Sequence, residues 1–281
     1  MKSLTKVPVI SFPKSGNTWL RFVLANIYKR NYDDLIDFKN INEYTATSND
    51  DDLIKIHSNL IPGSPVFIKQ HSNYSNMEFH DYEKVIYIYR NGFDALYSYW
   101  HFVSAQSPGL YRTIEQFVNY YWSYCGHWGE HLCSWIDNPQ VDSKHKVLAI
   151  CYEEMLSDPL TVLKRCTSFL GKEVDEELLA KALISSDKKN MQGMMGSAEF
   201  MKSRNAQFHF VRSGKAGEGE KLNEYCQNTF LAHAHNYAMM KKFNYINTPS
   251  QWDTIEKHDK PRVLRIIHSK LMFYIYKISR R

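Results

Sequence analysis

The feature that most constrains this chain is the stretch VPVISFPKSGNTWLRFVLAN, Val7 to Asn26. An apolar run of strand length stops at Phe12. A polar turn follows, Pro13-Lys14-Ser15-Gly16-Asn17-Thr18, and then an apolar pattern at helical spacing. Strand, turn and helix in this order suit a parallel sheet, where the helix N-terminus is aimed at whatever sits on the turn. Unsatisfied N–H groups and the helix dipole make such a turn an anion site. Gly16 lets the backbone approach an anion closely. Lys14 adds a charge, and Ser15, Asn17 and Thr18 add short polar side chains. Taken alone, the turn also suits an ordinary βα connection with a solvated lysine.

The rest of the chain extends the same pattern. Val7–Phe12, Ser64–His71, Lys84–Asn91 and Lys146–Met155 read as strands. Trp19–Arg30, Gly92–Val103, Thr113–Trp135 and Asp158–Leu170 read as helices, the last with Gly171 as its C-cap. Alternation of this kind predicts an α/β fold, a central parallel sheet with helices on both faces. Ser185–Lys221 is rich in Gly, Ser and Lys and reads as a long mobile segment. With 281 residues, one large domain over about 1–250 is expected, followed by a basic tail over 251–281.

Composition narrows the function class. The 19 Tyr, 15 Phe and 6 Trp argue against disorder. No run reaches the roughly 18 apolar residues of a membrane span. The first strand begins too early to leave room for a signal peptide, and five cysteines without a Cys-x-x-Cys pair suit reduced thiols. A cytoplasmic protein is expected. The net charge of +5 is local: Lys260–Arg281 carries seven Lys or Arg and no acid, so the remainder is net acidic. No nucleic-acid partner is expected from it.

The opening turn is not the nucleoside-triphosphate loop G-x-x-x-x-G-K-[ST]: its Lys precedes the Gly, and no second Gly leads it. No strand ends in the isolated Asp that would help hold Mg²⁺. This weighs against a P-loop kinase and predicts an anion held by protein cations without a metal. Cys125, His127, His131 and Cys133 lie close together in sequence, but Cys125 and Cys133 stand about 80° apart on an ideal helix. Helix packing is the reading preferred to a zinc site.

PKSGNTW resembles the P-K-S-G-T-T-W signature of the cytosolic-type sulfotransferases, which use 3′-phosphoadenosine 5′-phosphosulfate (PAPS) as donor and release 3′,5′-diphosphoadenosine (PAP). Further matches follow in the family's order. IKQH resembles K-T-H, YRNGFDALYSYWHF resembles R-N-P-K-D-V-A-V-S-Y-Y-H-F, GHWGEHLCSW resembles G-S-W-x-x-H-V-x-x-W, and CYEEMLSDP resembles Y-E-D-M-x-x-D-P. VRSGKAG is similar to R-K-G-x-x-G. Together they run from about residue 9 to about residue 222.

The resemblance implies a P-loop-like fold and sulfuryl transfer, with a role for each matched position. Lys14 falls on the lysine at the 5′-phosphate and bridging oxygen, and Ser15, Gly16, Asn17 and Thr18 on the phosphate cradle. His71 falls on the general base, a task suited to an imidazole at neutral pH. Lys69 precedes it by two residues, which puts both on one face of a strand. Arg90 and Ser98 carry the family's spacing for the 3′-phosphate, and an Arg fork suits phosphate oxygens. Trp19 resembles the adenine-stacking Trp, and Tyr152 matches the Tyr that lines the nucleotide site after the fourth strand. Arg212, Ser213 and Gly214 match the C-terminal loop, although Ser213 replaces Lys and Glu218-Gly219 stands where the family has Asp-Trp. Asn17 replaces the first Thr of the signature. Ser197 and Met201 fit S-F-x-x-M, with Ala198 in place of Phe. Intact Lys14, Lys69 and His71 argue against a nucleotide-binding module that has lost catalysis.

Tyr99, Trp100, Phe102, Phe117, Tyr121 and Trp122 are the candidate walls for a small or lipid-like organic acceptor. The N-terminal segment of animal members is missing here, which suggests a more open pocket. No family dimer motif is visible, and oligomeric state stays open. In the tail, Leu264, Ile267, Leu271 and Ile278 share one side of a helix flanked by Arg262, Arg265, Lys270 and Lys277. Such a helix suits peripheral contact with an anionic membrane, or docking on its own domain.

Overall fold

The computed structural model describes residues 4–47, 51–76, 82–120, 125–195 and 212–246. Tyr121, Trp122, Ser197, Ala198, Met201 and the 251–281 tail lie outside the described residues. In chain order the first elements are β1 (Lys6–Ser11), α1 (Asn17–Tyr28), α2 (Leu53–Ser58), β2 (Val66–Gln70), β3 (Lys84–Tyr89) and α3 (Gly92–Gln106). Then come α4 (Ile114–Tyr120), α5 (Trp128–Ile136), α6 (Pro139–Lys144), β4 (Lys146–Cys151), α7 (Tyr152–Ser157) and α8 (Pro159–Leu170). They are followed by α9 (Glu176–Ser185), α10 (Lys188–Met195), a 3₁₀ turn Glu218–Lys221, and helices Glu224–Leu231 and Ala234–Lys242.

The described residues fall into two compact units. The first takes those of Met1–His71, Glu78–Arg90 and Pro139–Ala216. The second takes those of Ser72–Met77, Asn91–Asn138 and Gly217–Arg281.

The first unit is built on one parallel sheet in the order β2-β1-β3-β4, flanked by helices as expected. Val7, Val9, Ile10, Val85, Ile86 and Ile88 are fully buried. This is the near-continuous apolar run of parallel strands covered on both faces. Helix α1 packs on β1, β2 and α9 and is buried almost all round, including Arg21 and Asn26. The Arg21 guanidinium donates to Thr45 Oγ1 from Nη2 at 2.6 Å, and Asn26 Nδ2 donates to the Phe22 carbonyl at 3.0 Å. Both buried polar groups therefore have the partners that burial demands.

The strand order marks the edge where a ligand is expected. From β1 the chain crosses to β2 on one side, then to β3 on the other. Ligands of open α/β sheets bind outside the carboxyl ends of the strands at such a reversal. Those ends here are the turn after β1, Lys69 and His71 at the end of β2, Arg90 after β3 and Tyr152 after β4.

The second unit is helical. Gly129 on α5 approaches the His235 and Asn236 backbone so closely that no β-carbon fits, and its N–H donates to Asn236 Oδ1 at 2.7 Å. Trp128, His131 and Trp135 are buried. The region of Cys125 to Cys133 thus packs a helix, and among the described residues no group of His, Cys, Asp and Glu is arranged to hold a metal.

Three expectations need correction. The predicted helix Thr113–Trp135 is two helices, α4 and α5. Gly126 has φ +78, and His127 N-caps α5 in extended conformation with its N–H held by Glu130 Oε2 at 3.0 Å. The predicted strand Lys146–Met155 ends at Cys151, and Tyr152 opens α7. Ser185–Lys221, read as one long mobile segment, contains α10 and the 3₁₀ turn among its described residues. In α10 the first turn is secured by Asp187 Oδ1, which accepts from Asn190 N at 2.7 Å. Gly and Lys content outweighed that cap in the sequence reading.

Candidate active site

The turn after β1 is held in a strained form. Lys14 adopts φ +70 and Gly16 φ +101. The left-handed region costs a non-glycine residue on the order of 1–3 kcal/mol, and such residues cluster at ligand clamps. Gly16 could not be replaced cheaply, since a β-carbon there would sit 2.6 Å from Tyr152 Cδ2. Asn17 Nδ2 donates to the Val9 carbonyl at 2.7 Å. The family's Thr could not reach in the same way, so this departure ties the turn back to its own strand.

Four cations converge. Arg90 is buried, with its guanidinium carbon 4.4 Å from the centre of the Tyr152 ring. It donates to the Lys14 carbonyl at 3.0 Å and to the Lys215 carbonyl at 2.8 Å. Burial, then the charges of Arg90, Lys69 and Arg212, push the Lys14 ammonium down to about 7. Burial and the charge of Arg21 push Lys69 down to about 8. Like charges gathered in a partly buried cluster oppose one another, and an anion among them would relieve that opposition.

Ser15 is fully buried, and its Oγ has no hydrogen-bond partner. Buried hydroxyls nearly always have one. The strained turn, the orphan hydroxyl and the cation cluster together fit a phosphate on the turn, as PAPS requires.

His71 follows β2, and its position is set by strand register. Lys6 pairs with Val66 and Ile10 with Gln70. Continued by one residue, that register puts His71 beside Ser11. His71 Nδ1 lies 2.7 Å from the Ser11 carbonyl oxygen. A carbonyl only accepts, so Nδ1 carries the proton, and in the neutral ring Nε2 is the basic nitrogen. The resemblance singled out His71 but gave no sign of Ser11, whose contribution is a backbone carbonyl.

Other predicted residues are less concentrated. Trp19 is half-buried and donates from Nε1 to the Ser186 carbonyl at 2.9 Å, which fixes the indole against the C-terminus of α9. Arg212 and Ser213 are half-buried and Gly214 is exposed, with Gly214 at φ +59. Gln192 on α10 donates to the Arg212 carbonyl at 3.2 Å. Ser98 lies half-buried on α3 in the second unit. There Tyr99 stacks near Phe102 and meets Phe117 edge-on, with ring centres 6.4 and 5.7 Å apart. Trp100 lies against His101 at 4.5 Å. Phe117 is 1% exposed and is a core residue rather than an open wall.

An anion-type turn, a converging cation cluster and an oriented imidazole on a parallel sheet suit a group-transfer enzyme with a phosphorylated donor. The profile of the sulfotransferase domain family matches residues 4–230. The chain belongs to this family. It is an enzyme that transfers a sulfuryl group from PAPS to an acceptor, leaving PAP. Cytosolic sulfotransferase 8 of Arabidopsis thaliana is 28% identical over 243 residues, 76% of this chain and 70% of that protein. Sulfotransferase 1B1 of Mus musculus is 30% identical over 190 residues, 62% of this chain and 60% of that protein. Among solved structures, mouse sulfotransferase SULT7A1 complexed with PAP aligns over 86% of each chain, with a TM-score of 0.59 and 22% identity. A retinol dehydratase in complex with androsterone and inactive cofactor PAP aligns over 89% of this chain and 84% of its own, with a TM-score of 0.58 and 18% identity. These two likenesses bear on the fold.

Proposed function

We propose that this chain sulfates a hydroxyl, or an amine, of a small or lipid-like organic acceptor by in-line displacement, with His71 as general base. The observation that carries the reading is the bond from His71 Nδ1 to the Ser11 carbonyl, which leaves Nε2 as the nitrogen able to take a proton. PAPS supplies an activated sulfuryl group, whose bond to the 5′-phosphate breaks as the acceptor oxygen bonds to sulfur. His71 Nε2 takes the acceptor's proton. Lys14 and the N–H groups of Ser15 to Thr18 hold the 5′-phosphate, where negative charge grows, and Lys69 holds the sulfuryl oxygens. Catalysis of this kind is chiefly positioning and charge stabilisation. Arg90, Ser98, Arg212, Ser213 and Gly214 are the residues assigned to the 3′-phosphate, with Ser197, Trp19 and Tyr152 on the adenosine side. Tyr99, Trp100 and Phe102 are the described candidates for the apolar walls of the acceptor pocket, with Phe117 buried; Tyr121 and Trp122 are assigned to it by sequence alone.

The 3′-phosphate assignment has a direct test. PAP is expected to raise the melting temperature in the presence of a chelator, and by more than 5′-AMP does at equal concentration. A ligand at 100 times its Kd stabilises by about 2.7 kcal/mol, so the two shifts are separable. Equal shifts would count against the assignment.

A cytoplasmic location is supported by the names of the relatives. No helix among the described residues is long and apolar enough to cross a membrane. Peripheral contact through the tail rests on the pattern of Leu264, Ile267 and Leu271 beside Arg262, Arg265 and Lys270. Co-sedimentation with anionic vesicles is expected for the full chain, and is expected to be lost when the chain is cut after Asp259. Equal pelleting of the two would reduce the tail to a packing helix.

A further inference from the structure

The loop from Arg212 to Gly219 is fastened twice, by two residues one helical turn apart in sequence. Arg90 takes the Lys215 carbonyl at 2.8 Å within the first unit. Asp94, within the second, accepts from Gly217 N at 2.8 Å and Gly219 N at 2.5 Å. Asp94 lies in the first turn of α3 and is 3% exposed. A carboxylate buried so deeply must be paired. It meets the first N–H groups of the 3₁₀ turn, which have no partners of their own inside that turn.

Gly219 completes the seat. A β-carbon there would lie 2.5 Å from Phe93 Cβ, 2.6 Å from the Phe93 carbonyl carbon and 2.7 Å from Asp94 N. Two of these are backbone atoms that cannot move aside. Gly219 therefore rests its bare backbone on the first turn of α3, and no side chain fits at the position where the family's pattern has Trp.

We infer that Asp94 is a positioning residue for donor recognition: by fixing Gly217 and Gly219 it sets the register of the loop that presents Arg212, Ser213 and Gly214. This rests on the reading, under Proposed function, that the loop meets the 3′-phosphate. Arg212 and Gly217 are five residues apart, and Lys215 between them is already held by Arg90. Loss of the Asp94 bonds frees Gly217 and Gly219 and with them the end of the loop, while the turn at Lys14–Thr18, assigned to the 5′-phosphate, keeps its own bonds. Asp94 thus acts on one phosphate and not on the other.

The test is the ratio of Kd for 5′-AMP to Kd for PAP, by calorimetry, in wild type, Asp94→Asn, Asp94→Ala and Gly219→Ala. Asn keeps one acceptor oxygen and Ala none, so the ratio is expected to fall stepwise, by about tenfold in Asp94→Ala, with AMP affinity nearly unchanged. Gly219→Ala leaves the carboxylate in place but lifts the loop, and is expected to lower the ratio as well. A general loss of structure would weaken both nucleotides together. An unchanged ratio in the soluble variants, or a parallel loss of AMP and PAP affinity, overturns the role of Asp94. Should Asp94→Ala fail to fold, Asp94→Asn and Gly219→Ala decide by the same ratio. A wild-type protein that does not prefer PAP would instead overturn the 3′-phosphate reading itself.

Discussion

His71→Ala and His71→Asn are both expected to lose about 10²–10⁴-fold in turnover while keeping PAP affinity within a few fold. The two variants separate chemistry from architecture. Asn can still donate from its amide to the Ser11 carbonyl and so can replace the bond that Nδ1 makes at 2.7 Å. It cannot supply a basic nitrogen in place of Nε2. If His71 served only to tie the end of β2 to β1, Asn would restore activity that Ala loses. If His71 is the base, both variants are equally dead. Single-turnover rates with saturating donor, together with PAP titration, give the two readouts. Full activity in His71→Asn would move the base elsewhere.

Much of this site is legible in sequence because parallel strands gather their carboxyl ends at one edge. Lys14, Lys69, His71, Arg90 and Tyr152 are far apart in the chain; the family resemblance picked them out, and each stands at or just past a strand end, although the end of β4 was read four residues late. Roles played by the backbone were invisible. The Ser11 carbonyl that fixes the His71 tautomer, and the Gly217 and Gly219 N–H groups that bind Asp94, leave no trace in side-chain type. Asp94 itself looks like any acid in the first turn of a helix, where the dipole alone would favour it. The break between α4 and α5 was missed because a helical apolar period continues across it. One glycine at φ +78, followed by a carboxylate cap from Glu130, outweighed periodicity. The departure of Asn17 from the family pattern proved to have a physical account in its bond to Val9.

Lys14→Met is expected to make the nucleotide-free protein more stable and the enzyme about 10²–10³-fold slower. Both signs follow from one observation, that burial and then the charges of Arg90, Lys69 and Arg212 push Lys14 down to about 7 from an ordinary 10.5. Below pH 7 the ammonium is charged in both folded and unfolded chains, and its confinement among other cations opposes folding fully. Between about 7 and 10.5 the unfolded chain binds the extra proton and the folded one does not, so wild-type stability rises with pH across that window. Methionine keeps an unbranched side chain only one atom shorter and, like lysine, meets the cost of φ +70 at this position, so the exchange chiefly removes the charge. The stability gain of the variant is expected to be largest at pH 7 and below and to fade toward about pH 10. An anion on the turn reverses the balance. It restores the ammonium form, so PAP binding at about pH 8 is expected to take up protons, and affinity falls as pH rises above about 7. Calorimetry at that pH in buffers of differing ionisation enthalpy measures the uptake, which Lys14→Met should largely remove, leaving the share of Lys69. A Lys14→Met enzyme within about tenfold of the wild-type rate would take Lys14 out of transition-state stabilisation, and one less stable than wild type at neutral pH would show that the ammonium is not held against the fold's own interest.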